Sequence, residues 1–179
     1  MKFNFKKSSL NADRTKKDKD TGDNLGLKEI IKTVAGALIL SAVIIQFVGP
    51  TIVNGSSMYP TLENGDYLYM NKVSNIDKND IVVFDTHAKQ RNMYIKRVIA
   101  TGGDAIKIKD SKVYVNGEEL EEHYILEQEF WGEMDEVIVP KDKLFVLGDN
   151  RNNSTDSRYL GFIDKADVVG EVFIRLFPF

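Results

Sequence analysis

Three short segments carry the side chains with the most chemistry to offer: Gly55-Ser-Ser-Met-Tyr-Pro-Thr-Leu62, Tyr94-Ile-Lys-Arg97 and Gly148-Asp-Asn-Arg-Asn-Asn-Ser-Thr-Asp-Ser-Arg-Tyr-Leu-Gly161. The first holds two adjacent hydroxyls, and a serine becomes a useful nucleophile only when a neighbouring base takes its proton. The second sets two cations side by side in a run that reads as a strand. Side chains alternate faces in a strand, so Lys96 shares one face with Tyr94 and Val98 while Arg97 shares the other with Ile95 and Ile99. Both faces are apolar, which predicts that one of the two cations lies against a packed surface. Lysine answers burial by losing its proton and arginine does not, so Lys96 is the candidate base. Each segment alone also has an ordinary reading: a loop ahead of a proline, a surface charge in a strand, a solvated turn.

A histidine base is the competing arrangement. His87 sits in the loop-like Asp85-Thr-His-Ala-Lys-Gln90 and His123 in an acidic Glu-Glu-His-Tyr run, and neither stretch contains another group suited to catalysis. A serine–lysine variant of triad logic fits the residues better.

The elements that must position these groups are mostly strands. Runs rich in β-branched and aromatic residues cover 66–70, 80–84, 93–99, 105–109, 112–115, 136–139, 143–147 and 168–175. They are punctuated by Asn64-Gly65, Thr101-Gly-Gly-Asp104, Asn116-Gly117 and the polar run from Gly148 to Gly161. The fold class implied is mainly β: one barrel-like domain over residues 50–179, with 118–135 as an acidic excursion from its core.

Ahead of this domain, Thr33 to Val53 is twenty-one residues without a charge. Roughly 20 helical residues cross a bilayer core of about 30 Å. The expected organisation is a basic, flexible tail over 1–29 and a single transmembrane anchor over 30–49. A cleaved secretory signal, with small residues at Val53 and Gly55 as its cleavage site, and the buried helix of a soluble protein are the other readings of this stretch. Residues 1–32 hold nine Lys/Arg against five Asp/Glu, and that bias predicts the N-terminus inside and the domain outside.

Composition narrows the function further. The formal charge is −3 over 179 residues, but beyond residue 32 fifteen Lys/Arg face twenty-two Asp/Glu. An acidic main domain has no electrostatic footprint for nucleic acid. There is no cysteine, so disulfides, thiolate catalysis and cysteine-held metals are excluded, and two histidines argue against a multi-histidine metal site.

Taken together, Ser-Met-x-Pro-Thr, Tyr-Ile-Lys-Arg and Gly-Asp-Asn-Arg-x-Asn-Ser-x-Asp-Ser-Arg, in this order after one N-terminal anchor, resemble type I signal peptidases in the small form typical of Gram-positive bacteria. Lys78-Asn-Asp-Ile-Val-Val-Phe84 looks like a further box of that family. The resemblance implies a membrane-anchored Ser/Lys protease with Ser57 as nucleophile and Lys96 as general base. It implies that Ser154 orients the lysine amine and that Asp156 and Arg158 pair to hold their loop against the site. Asp149 and Arg151 would shape the turn of the same loop. Some relatives carry a serine two positions before the nucleophile that supports the oxyanion. Gly55 stands there in this chain, so the hole would rest on the Ser57 N–H, with water or another amide as the candidates for a second donor.

The implied partners are the signal peptides of exported preproteins, with small residues at −1 and −3, and the lipid bilayer. No metal or cofactor is implied. Val53, Met58, Leu62, Tyr94 and Ile95 are the candidates for lining the substrate pockets. Ser57 lies nine residues beyond Val48, at most about 30 Å of extended chain, so the site would stay close to the outer membrane surface. Phe130 with Trp131, or the 173–179 end, are the candidates for touching lipid. The rival readings are a self-cleaving repressor of related chemistry, which would need a DNA-binding domain in place of the anchor, and a tethered scaffold without activity.

Overall fold

The computed structural model describes residues 10–86 and 93–176, with side chains from Gly26 onward. His87 and residues 177–179 fall outside the described residues. The chain separates into two compact units, residues 1–45 and 46–179.

The described residues of the first unit belong to one helix, α1 (Leu10–Phe47). Its stretch Gly26–Phe47 is long and apolar enough to cross a membrane, and side chains such as Ile30, Leu38 and Ile45 are exposed there. Helix replaces the flexible chain expected of the polar tail from Leu10 on. Strand replaces the last part of the apolar run: β1 (Val48–Ile52) begins directly after Phe47. Pro50 accounts for this break, because it lacks an N–H and disfavours helical backbone in the residue before it.

The second unit is two antiparallel sheets. The larger orders its strands β1–β2 (Tyr67–Asn71)–β11 (Val168–Leu176)–β3 (Ile81–Asp85)–β4 (Met93–Thr101)–β9 (Lys143–Leu147)–β10 (Ile163–Asp164). The smaller orders β7 (Glu118–Glu119), β6 (Lys112–Val115), β5 (Ala105–Lys109) and β8 (Met134–Ile138). Edge position explains why β1 tolerates a proline. Asn116-Gly117 forms the two-residue turn from β6 to β7 with φ of 54° and 84°, the positive pair that a tight hairpin demands.

Strand β4 is the central positioning element. Its register against β9 steps from Val98↔Val146 to Ala100↔Phe145, leaving Ile99 as a bulge. Alternation is lost there, so neighbours Ile99 and Ala100 both enter the cluster shared with Ile106, Ile108, Val113 and Phe130. On the N-terminal side of the bulge the alternation holds, and Tyr94 and Val98 join Val82, Phe84 and Val146. The expectation that one cation of the pair is buried is exceeded: Lys96 is 2% and Arg97 9% exposed. Each fits because each has a partner on its own face.

Three arginine–carboxylate pairs tie down the loop from β9 to the short helix α2 (Ser157–Leu160). Asp149 accepts from Arg97 Nε at 2.9 Å and Nη2 at 2.6 Å, and the Arg97 guanidinium lies 4.0 Å from the Tyr124 ring centroid. Arg151 pairs with Glu122 through both guanidinium nitrogens and donates from Nε to Gly148 O. Asp156 caps α2, accepting from the Arg158 N–H and from its Nε and Nη2. The acidic excursion is therefore less detached than its sequence implies. It supplies Glu122, and its Leu120, Ile125 and Phe130 pack on the core.

Asp149 has no exposed surface, so Asp149→Ala leaves the Arg97 charge buried without its partner. A loss of about 3–5 kcal/mol is expected, measured as a lowered urea midpoint of the second unit's unfolding.

Candidate active site

Ser57 follows edge strand β1 in a turn that two core side chains hold in place. Val53 and Met58 are buried with Leu62 and Leu68 in one cluster, fixing the chain on either side of Gly55-Ser56-Ser57. Backbone bonds from Val53 N to Asp66 O and from Gly65 N to Val53 O close the base of the loop, both at 2.9 Å. The Gly55 N–H donates to Asn64 Oδ1 at 2.8 Å. Gly55 has φ of 101°, a conformation that strains any residue with a Cβ.

Lys96 comes from β4, thirty-nine residues further along, and its Nζ stands 2.7 Å from Ser57 Oγ. The same amine donates to Ile95 O at 2.9 Å and lies 5.6 Å from the Tyr94 ring centroid. Burial drives the Lys96 pKa down from 10.5 to about 8, against an opposing pull from the Asp156 and then the Asp149 charge. Roughly one molecule in ten therefore carries the free amine at pH 7, and most do above pH 8. In that state the amine lone pair can take the Ser57 proton directly.

Ser57, Lys96 and four of the five candidate pocket residues open on one cleft of about 1040 Å³. One wall is residues 51–58 and the next is 93–96. Residues 152–155 and Tyr159 form the rest. Val53, Met58, Tyr94 and Ile95 line it, and so does Gly55. Leu62 does not: its backbone N–H bonds to Met58 O and its side chain packs beneath Met58 in the core. One helical turn of sequence separates the two residues, and only the upper one reaches the cleft.

Ser154 also lines the cleft, but its Oγ is buried with no hydrogen-bond partner. The amine spends its contacts on Ile95 O and Ser57, so the expected bond from Ser154 to Lys96 is not formed in this structure. Asp156 and Arg158 do pair, behind the cleft wall rather than in it. Asp156 Oδ2 accepts from the Gly148 N–H at 3.1 Å, and Arg158 donates to Arg151 O and Trp131 O.

Several residues with a part in this geometry escaped the sequence reading. Gly148 is one. A Cβ there would meet Ser154 Oγ at 2.2 Å and Ser57 O at 2.6 Å, so only glycine lets the loop lie this close to the nucleophile. Met93 and Tyr159 line the cleft beside residues already singled out. Of the two histidines, His123 is 90% exposed beside Glu121. Among the described residues no cluster of three or more His, Asp or Glu could hold a metal ion. Of the proposed lipid contacts, Phe130 is buried under the Arg151 and Arg158 guanidinium groups, whereas Trp131 and Phe173 are 76% and 50% exposed.

The family described as "Signal peptidase, peptidase S26" matches residues 27–177. The chain belongs to that family. It is 38% identical over 176 residues to signal peptidase I P of Bacillus subtilis subsp. natto, covering 90% of this chain and 95% of that protein. A probable signal peptidase I-2 of Synechocystis is 40% identical, covering 92% and 79%. Signal peptidase IB of Staphylococcus aureus is 34% identical, covering 86% and 91%. Among solved structures, a signal peptidase I from Enterococcus faecalis aligns with a TM-score of 0.50 at 29% identity, covering 56% of this chain and 99% of that one. The mainly β architecture behind an apolar N-terminal helix is thus that of the signal peptidase family.

Burial of Lys96 also has a stability consequence. Its folded pKa lies below its unfolded value, so between about pH 8 and 10.5 the unfolded chain holds a proton that the folded chain has lost. Folding stability therefore rises with pH across that window, and the full cost, roughly 3 kcal/mol, applies below it. Lys96→Met is expected to raise stability near pH 7 by up to about that amount, with the gain vanishing towards pH 10.5. Denaturant titrations of both proteins at pH 7 and pH 10.5 measure it.

Proposed function

We propose that this chain is a membrane-anchored serine endopeptidase that removes N-terminal signal peptides from exported preproteins through a Ser57–Lys96 dyad. The observation that carries this reading is the 2.7 Å approach of a buried, pKa-lowered amine to a serine hydroxyl in an open cleft. Membership of the signal peptidase family supports the substrate class.

In the proposed reaction the substrate lies extended along the cleft, with Val53, Met58, Tyr94 and Ile95 forming shallow apolar pockets for small side chains at −1 and −3. The free position of β1 at the sheet edge supports binding by added strand pairing. The Lys96 amine takes the Ser57 proton and Oγ attacks the scissile carbonyl carbon. The Ser57 N–H faces the oxygen as it becomes negative. Collapse of the intermediate breaks the C–N bond, and the Lys96 ammonium gives its proton to the departing amine. Water, deprotonated by Lys96 in turn, releases the signal peptide from Ser57. In this reading Ser154, whose unpartnered hydroxyl lines the same cleft, receives the amine when it moves off Ser57 during this cycle.

Helix α1 supplies the anchor in this reading. Its basic N-terminal residues put residues 1–29 in the cytoplasm and residues 50–179 outside, with the site tethered near the bilayer surface. Exposed Trp131 and Phe173 are suited to the membrane interface.

The test is cleavage of a purified preprotein carrying an Ala-x-Ala site by the full chain in detergent. Cleavage after the second alanine is expected, and folded Ser57→Ala and Lys96→Ala variants should each lose about 10³-fold or more. Because only the free amine works as a base, the rate should rise with pH through a limb centred near 8. Equal cleavage by the Lys96→Ala variant, or a rate flat from about pH 5 to 9, would remove Lys96 from its role. Absence of cleavage by the unaltered chain would favour a tethered scaffold.

A further inference from the structure

The side-chain hydroxyl that some relatives add to the oxyanion hole is missing at Gly55, so on the reading above the backbone Ser57 N–H is the donor that the hole rests on. Its direction cannot be adjusted by a rotamer. It is set by the plane of the Ser56–Ser57 peptide, in which the Ser56 C=O and the Ser57 N–H point in opposite directions. Whatever holds the carbonyl aims the N–H.

Two donors hold that carbonyl. Ser56 O accepts from the Tyr59 N–H at 3.1 Å, within the same turn, and from Asn150 Nδ2 at 3.0 Å, from the loop after β9. Asn150 makes a second bond to the same segment, its backbone N–H donating to Ser57 O at 3.0 Å. It thus grips the carbonyls on both sides of the nucleophile. Asn153 adds a third link, Nδ2 donating to Ser56 Oγ at 2.9 Å. Asn153 is itself tied to Asn150, its N–H donating to Asn150 O at 3.1 Å.

The grip comes from a rigid support. Asn150 lies between Asp149 and Arg151, which are 0% and 1% exposed and anchored by Arg97 and Glu122. Gly148 lets this loop approach within reach of Ser57 O. A donor fixed in this way needs no reorganisation when charge develops.

We infer that Asn150 is a positioning residue for the oxyanion: its side-chain amide locks the Ser56–Ser57 peptide so that the Ser57 N–H faces the carbonyl oxygen of the substrate. This differs from acting on the base. A residue that aims the oxyanion donor changes transition-state stabilisation and leaves both substrate binding and the Lys96 titration where they were.

The experiment uses the full chain in detergent, with a preprotein substrate and a peptide aldehyde ending in Ala-x-Ala. The aldehyde carbon accepts Ser57 Oγ, the serine proton passes to Lys96, and the aldehyde oxygen becomes an alkoxide facing the Ser57 N–H. Asn150→Ala is expected to lower plateau kcat about 10- to 100-fold and to weaken aldehyde binding in proportion. KM should stay within about threefold and the acid limb should not move. If Asn150→Ala melts in the assay range, Asn150→Asp serves instead. It keeps the shape, replaces the donor with an acceptor, and should show at least the same plateau loss, with the limb raised by its added negative charge. Plateau kcat within about threefold of the unaltered chain, a loss confined to KM, or a shifted limb in Asn150→Ala would overturn the inference. Ser57→Ala separates the two layers. If it still cleaves, the dyad reading fails; if it is inactive while Asn150→Ala is fully active, only the positioning role falls.

Discussion

Burying a lysine amine costs free energy whenever the amine is charged, and at Lys96 that cost lowers the pKa to about 8 beside the Ser57 hydroxyl. Burial to 2% exposure strips water from Lys96, and the serine hydroxyl at 2.7 Å is what its amine finds in exchange. Everything else in the second unit either maintains this cover or limits it. With less burial the pKa would sit nearer 10.5, and the free amine at neutral pH would fall well below the present level of roughly one in ten. Complete burial would close the cleft to a polypeptide substrate, and the open side walled by 51–58 and 152–155 prevents that.

The surrounding charges work against the desolvation. Asp156 and Asp149 both favour the protonated amine, which holds the pKa near 8 rather than lower. Their own charges are contained by Arg158 and Arg97, at 2.8 and 2.6 Å. Buried ion pairs of this kind add little net stability compared with apolar packing, yet losing one partner is costly. Their value here is geometric. Three arginines of fixed fork shape place the 148–158 loop against Ser57 to within hydrogen-bonding tolerance.

The smaller sheet and the acidic excursion act on the site from behind. Glu122 receives Arg151, and Trp131 O receives Arg158. Asn152 bonds to Glu129 O and accepts from the Trp131 N–H. These contacts join a segment with little regular structure to the 148–158 loop, so its acidic composition reflects partners for buried arginines as well as solvated surface. Phe130, sandwiched between the core and two guanidinium groups, is packed for the same reason.

Most strands were legible in the sequence because period-two patterning and turn residues are local signals. The runs at 105–109, 112–115 and 143–147 coincide with β5, β6 and β9, and Asn116-Gly117 turns where its chemistry requires. Strand β1 was hidden because its apolar residues continue those of α1, and only Pro50 marks the change. The candidate residues for the chemistry were likewise legible as three motifs, since their types are rare in combination. Tertiary structure alone decided how they meet. No local pattern shows that Lys96 and Arg97 are both buried, because the answer depends on Ser57 and Asp149, thirty-nine and fifty-two residues away. Nor could it show that Leu62 faces the core while Met58 reaches the cleft, that Ser154 stands without a partner, or that Asn150 grips Ser56. Hydrogen bonds and desolvation act over a few ångströms, and only the folded chain brings such distant residues within that range.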